Sequence, residues 1–159
     1  VATPALLNAG IQPLASNLFV FYFAIISFIT PPVAMAAYAA SGIAEGDSMR
    51  TGLIAFKLGI AGFIIPFLFV YYPGMLIVGC SAFEVIHALL VAGSSVFLIA
   101  AAFEGWVGIH LPVWLRLLMF ALGCITLIPW AVADIVGILG AIVIFAFLLY
   151  KHTKQKAVA

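Results

Sequence analysis

The residues best suited to chemistry in this sequence are Thr30-Pro31-Pro32, preceded by Ser27 and set inside an apolar run from about residue 14 to 44. Neither proline carries an N–H, and each disfavours helical geometry at the residue before it. A helix crossing this point therefore loses the donors for its preceding carbonyls. The chemistry on offer is coordination. At the C-terminal end of a half-helix over about 14–29, the carbonyls of Phe28, Ile29 and Thr30 and the hydroxyls of Ser27 and Thr30 are hard oxygen donors. Such donors suit an alkali cation better than a transition metal. After Pro31 and Pro32, the N–H groups of Val33 and Ala34 open a second half-helix, about 33–43, and form a terminus that favours an anion. Tyr22 and Tyr38 are midspan hydroxyls on the same segment and candidate substrate contacts. The alternative is a plain proline kink whose freed carbonyls are satisfied by a neighbouring helix.

The elements that must position these groups follow from composition. Apolar residues make up 67% of the chain and charged residues 7%, against roughly 45–50% and about 25% in soluble domains. Lipid is the main solvent. A hydrocarbon core about 30 Å thick takes about 20 apolar residues per crossing, which predicts an all-α, polytopic transmembrane helical bundle of four to five spans, the first full one discontinuous at Thr30-Pro31-Pro32. A first region, 1–79, holds a helix end at 1–9, the broken helix 14–43 and a span over 52–77 that Pro66 kinks. A second region, 80–159, holds spans 82–103, 114–129 and 132–150. The last two either cross fully or form a re-entrant pair joined at Pro129. The chain opens at Val1 without the basic region and cleavage site of a signal peptide, and it reads as a piece of a larger polypeptide.

Charge placement orients the bundle. Basic residues near span ends concentrate on the cytoplasmic side, and with the C-terminal tail placed there, Arg50, Lys57, Arg116, Lys151, Lys154 and Lys156 all fall on one face. The expected location is a bacterial or archaeal inner membrane, multi-pass, with a cytoplasmic C-terminus. A net charge of +1 excludes a nucleic-acid partner, which requires a basic surface. The expected surroundings are the lipid bilayer.

The remaining polar residues suggest less. Glu84 and His87, three apart on one helical face, are placed to pair or relay a proton, and they supply the only acid and base for a membrane-enzyme reading. That reading lacks a nucleophile, a metal cluster and a cytoplasmic domain, so no catalytic residue and no cofactor are expected. Asp134 reads as a first-turn acid of the last span and His110 as a loop residue. Cys80 and Cys124 lack the paired spacing of a metal or redox site and read as small core hydrophobes. A structural bundle that scaffolds other subunits is a further reading, most apt for residues 81–159.

The stretch Gly10-Ile11-Gln12-Pro13-Leu14-Ala15-Ser16-Asn17-Leu18-Phe19-Val20-Phe21-Tyr22-Phe23, with Ile29-Thr30-Pro31-Pro32-Val33-Ala34 and Ala40-Ser41-Gly42-Ile43-Ala44, resembles the large membrane subunit of TRAP transporters. More narrowly, it is similar to the fused permeases that work with TAXI-type binding proteins, a subgroup that Met49-Arg50-Thr51-Gly52 and Gly62-Phe63-Ile64-Ile65-Pro66-Phe67 also fit. The resemblance covers residues 1–80. Beyond them it is one of layout.

What the resemblance implies is a permease component of a tripartite secondary transporter. It would take a small organic anion, a carboxylate, from a periplasmic TAXI-type receptor and import it with Na⁺ (or H⁺) by an elevator movement. The Thr30-Pro31-Pro32 region would be the unwound helix, and residues 1–9 the returning arm of a re-entrant hairpin. A missing N-terminal part of the same permease would complete the site, with Na⁺ as coupling ion. Two positions depart from related sequences. Asn17 stands where a histidine is frequent, and Ala34 where many relatives of the non-TAXI type have glycine.

Overall fold

The computed structural model describes the backbone of residues 2–156 and the side chains of residues 2–148. Its elements are helical: α1 (Ala2–Asn8), α2 (Pro13–Ile26), α3 (Met35–Ile43), α4 (Ser48–Gly59), α5 (Ile65–Tyr71), α6 (Ala82–Glu104), α7 (Val113–Ile125) and α8 (Ala131–Lys156), with 3₁₀ turns at Ser27–Ile29, Ile60–Ile64 and Pro73–Leu76. Among the described residues the only β-type pairing is a single bridge between Trp106 and His110, in the loop where His110 was expected. The fold class is the expected all-α bundle. Three stretches are long and apolar enough to cross a membrane, Ser48–Tyr71, Ala82–Glu104 and Ala131–Leu148, and two shorter apolar ones are Pro13–Ile29 and Val113–Ile125.

Contacts divide the chain into two compact units, Val1–Gly79 and Cys80–Ala159. In the first, α1 is followed by a turn at Gly10, whose φ of +83° is cheap only for a residue without Cβ, and the chain enters α2. Pro13 opens α2 at a position where a missing N–H costs nothing. An aromatic ladder then fastens α2 to α5. Phe67 meets Phe19 and Phe23 edge-on, with ring centroids 5.4 and 5.9 Å apart, and Phe63 meets Phe56 and Phe23. Such edge-to-face pairs contribute about 0.5–1.5 kcal/mol each beyond area burial. Leu68 is fully buried beneath them.

The expected span 52–77 starts earlier and stops sooner. Asp47 caps α4 by accepting the Arg50 N–H at 2.6 Å, and the Thr51 hydroxyl donates to its carbonyl at 2.8 Å. The helix continues through the 3₁₀ turn Ile60–Ile64 into α5, whose first turn holds Pro66, directly after that irregular stretch. It ends at Tyr71 because Pro73 cannot extend it.

In the second unit, Ser81 and Glu84 form a reciprocal capping box at the start of α6: the Glu84 N–H donates to the Ser81 hydroxyl and its carboxylate accepts the Ser81 N–H at 2.7 Å. Gly105, with φ +73°, closes the same helix. The core joins Leu98, Ala101 and Ala102 of α6 to Leu115 and Met119 of α7 and to Ala141, Ile144 and Leu148 of α8. Small residues set the spacing. Gly123 lies under Ile99, and Gly137 lies against the Thr126 methyl, close approaches of the kind membrane helices use in place of a hydrophobic drive. Where the sequence suggested a span over 114–129, α7 is 13 residues long, about 20 Å at 1.5 Å per residue. That falls short of the hydrocarbon thickness of about 30 Å. It stops at Ile125, four residues before Pro129, which has no N–H to extend the helix, and just past its end the Thr126 hydroxyl donates to the Gly123 carbonyl at 2.6 Å and meets the Ser95 hydroxyl at 2.6 Å. The basic side chains at 151–156, expected as topology anchors, lie outside the described residues.

Candidate functional site

The interruption in the first unit is built from the two ends it joins. Before it, α2 tightens into the 3₁₀ turn at Ser27–Ile29, and side-chain hydroxyls add bonds to its last carbonyls. The Ser27 hydroxyl donates to the Ala24 carbonyl at 2.6 Å and the Thr30 hydroxyl to the Ile26 carbonyl at 2.8 Å. Thr30 itself is extended, φ −107° and ψ 114°, as a residue before proline prefers. The Pro31–Pro32 peptide is cis, and Ala34 is left-handed at φ +31°. From Ala34 the chain re-enters a helix. Its N–H donates to the Thr30 carbonyl at 3.0 Å, and its carbonyl accepts the Tyr38 N–H at 2.9 Å.

These bonds pair two of the carbonyls at the break, those of Ser27 and Thr30. Ser27 accepts the Thr30 N–H at 3.2 Å, and Thr30 accepts from Ala34 while keeping a second lone pair. Phe28 differs. The residues three and four positions on are Pro31 and Pro32, so no helical N–H exists for its carbonyl. The hydroxyl oxygens of Ser27 and Thr30 have spent their protons on the helix but retain lone pairs, so both remain usable as ligands.

One face of the break is covered and the other is open. Gly52 of α4 is buried against it: a Cβ there would stand 3.1 Å from Tyr38 Cε1, 3.3 Å from Pro31 Cγ and 3.6 Å from the Ala34 Cβ. About two turns further along α4, Gly59 lies against the Ile29 side chain. Ala34 is fully buried in this contact, whereas Phe28, Pro32 and Val33 are exposed on the opposite side. A left-handed conformation is one that glycine adopts without cost. Alanine adopts it at a cost of order 1 kcal/mol, and its methyl fills the space opposite Gly52.

The two tyrosines are held at opposite ends. Tyr38 packs its ring on Gly52, and its carbonyl accepts the Ser41 hydroxyl at 2.7 Å. Ser41 is buried and reaches Ser48, the first residue of α4, at 2.7 Å, which closes the turn between the two helices. Tyr22 lies edge-on to Phe69, centroids 6.1 Å apart. Ser27, Phe28, Ile29, Thr30, Pro31, Pro32, Val33 and Ala34 thus form one contiguous element, with Tyr38 on its α4 side and Tyr22 beside α5. Asn17 is exposed on α2.

The pair suggested for an enzyme is a different arrangement. Glu84 is exposed and committed to capping α6 with Ser81. His87 instead meets Asp134 of α8, Nε2 to Oδ2 3.2 Å, and Asp134 is buried. Spacing along one helix pointed to Glu84, but the capping demand of Ser81 took its carboxylate. Among the described residues no cluster of three or more His, Cys, Asp or Glu is placed to hold a metal. Sequence reasoning missed the glycine face of α4, although Gly52 and Gly59, seven apart, lie on one side of a helix by spacing alone.

A family model described as the tripartite ATP-independent periplasmic transporter, DctM component, matches residues 1–84, just over half of the chain. No curated protein and no solved structure matches. The matched residues include α1 to α5 and the whole break. With helices long and apolar enough to span a membrane and a family of transporters rather than enzymes, the chain is a multi-pass membrane protein that belongs to the DctM family, the large permease component of TRAP transporters.

Proposed function

We propose that this chain forms part of a permease that imports a small organic anion, a carboxylate, together with Na⁺ (or H⁺), and that the break at Thr30-Pro31-Pro32 supplies oxygen ligands to the coupling cation. Membership in the DctM family makes it a transporter component that works with a substrate-binding protein and a small permease subunit. The single observation that carries the ion assignment is the Phe28 carbonyl. It is followed at the third and fourth positions by two prolines and so has no helical donor, and it belongs to the same short segment as the Ser27 and Thr30 hydroxyls. Unpaired backbone oxygen at membrane depth is tolerated where it lines a cavity or is buried in protein, and broken helices of secondary transporters use such carbonyls to bind cations. Past the break, the anion-facing role falls to the backbone N–H of the exposed Val33, because the Ala34 N–H is spent on the Thr30 carbonyl.

The same reading extends to its surroundings. The receptor is of the TAXI type and the permease is a fused one, on the strength of the residues that carry that similarity. The transport region moves as an elevator relative to the rest of the permease. The protein sits in an inner membrane with its C-terminus in the cytoplasm, because that orientation places all six lysines and arginines on one side.

The test is uptake in proteoliposomes holding the permease, its small subunit and the binding protein. Anion uptake that requires the binding protein and an inward Na⁺ or proton gradient is expected. Uptake indifferent to both gradients removes the symport assignment.

A further inference from the structure

Where α6 ends and α7 begins, the second unit carries a groove of about 330 Å³ lined by Ala102, Phe103, Val113, Arg116, Leu117 and Phe120. Its walls are apolar, with Phe103 and Phe120 meeting edge-on at 5.6 Å. Arg116 supplies its charge. The guanidinium reaches back to the last turn of α6, Nε donating to the Ala102 carbonyl at 2.8 Å and Nη2 to the Phe103 carbonyl at 3.1 Å. Those carbonyls lack intrahelical donors, so two of the five guanidinium N–H groups are spent on closing the helix. Gly105 keeps the rest accessible: a Cβ there would stand 3.0 Å from Nη1. Among the described residues no carboxylate meets Arg116.

We infer that this groove is a binding site for an anionic phospholipid, with its phosphate on Arg116 and one acyl chain along Phe103, Leu117 and Phe120. Depth supports a lipid rather than a soluble anion. The groove begins at the end of a span, Ala82–Glu104, and the indoles of Trp106 and Trp114 beside it are exposed by 54% and 64%, as in the aromatic belts that mark headgroup level. Charge complementarity selects an anionic headgroup, since basic pockets between membrane helices hold such headgroups and each surface cation adds about 1 kcal/mol. A zwitterionic lipid offers the same chains without net charge.

The experiment is native mass spectrometry of the purified protein titrated with phosphatidylglycerol or phosphatidylcholine of matched chains. Wild type is expected to retain phosphatidylglycerol roughly fivefold more tightly, and Arg116→Gln to lose that preference. Because Arg116 also closes α6, Leu117→Trp is the second variant. It fills the groove without touching the guanidinium bonds and is expected to weaken phosphatidylglycerol retention while circular dichroism stays helical. Equal retention of both lipids by wild type, or a preference that survives Leu117→Trp, overturns the inference. So does displacement of the lipid by inorganic phosphate at constant ionic strength, which assigns the groove to a free anion.

Discussion

Gly52 lies directly against Pro31, close enough that a Cβ on the glycine would stand 3.3 Å from the proline Cγ. This contact makes the break a supported element rather than a frayed kink. α4 seals one side of the irregular backbone with a glycine surface, through Gly52 on Pro31, Ala34 and Tyr38 and through Gly59 on Ile29, and leaves Phe28, Pro32 and Val33 open on the other. Non-helical backbone inside a membrane needs such shielding.

Substitutions at Gly52 test the seal. Alanine gains about 1 kcal/mol of helix propensity against contacts at 3.1 and 3.3 Å, so Gly52→Ala is expected to be near neutral in thermal unfolding in detergent. Gly52→Leu overpacks the same site and is expected to cost about 1–3 kcal/mol and to reduce transport. A leucine variant as stable as wild type would show that α4 does not hold the break.

Gly137 makes a similar test in the second unit. Any Cβ there collides with the Thr126 methyl, so Gly137→Ala is expected to destabilise by about 1–3 kcal/mol. Thr126→Ser keeps the hydroxyl that binds Ser95 and Gly123 but removes the methyl, and in the double variant it should restore part of the loss. Absence of any rescue in paired melting curves would contradict this packing.

The His87–Asp134 pair, 3.2 Å apart, predicts energetic coupling. In a double-mutant cycle, His87→Leu should destabilise more when Asp134 is present than in an Asp134→Asn background, by about 1 kcal/mol. Removing the imidazole from beside a buried carboxylate costs more than removing it from beside an amide. Equal costs in both backgrounds would show that the contact contributes nothing.

Thr30→Ala separates ligand from scaffold at the break. Loss of the hydroxyl is expected to raise the half-saturating cation concentration for uptake roughly fivefold, equivalent to about 1 kcal/mol, with the helical content unchanged. Unaltered cation affinity would show that the Thr30 side chain is not a ligand.

How far all this was legible depends on the range of the interactions. The position of the break could be read at Thr30-Pro31-Pro32 because the missing N–H groups are a property of the prolines themselves, and the observed helices end and restart within a few residues of it. Asp47 as a cap is equally local. The left-handed Ala34 and the seating of Gly52 on Pro31 depend on residues about twenty positions apart, which periodicity does not pair. Glu84 illustrates a misread local signal: Ser81-x-x-Glu84 is itself a capping-box pattern, and it outcompeted the apparent Glu84–His87 spacing. The end of α7 is local too, since Pro129 has no N–H for the Ile125 carbonyl, whereas the contact of Thr126 with Ser95, 31 residues away, leaves no trace in hydropathy.

The most direct measurement is the cation dependence of uptake in proteoliposomes for wild type and Pro32→Ala, which restores an N–H four residues after Phe28. With the Phe28 oxygen as a ligand, the variant is expected to fold but to need a several-fold higher cation concentration. A variant that transports with the wild-type cation dependence would contradict the assignment of the break as the ion site.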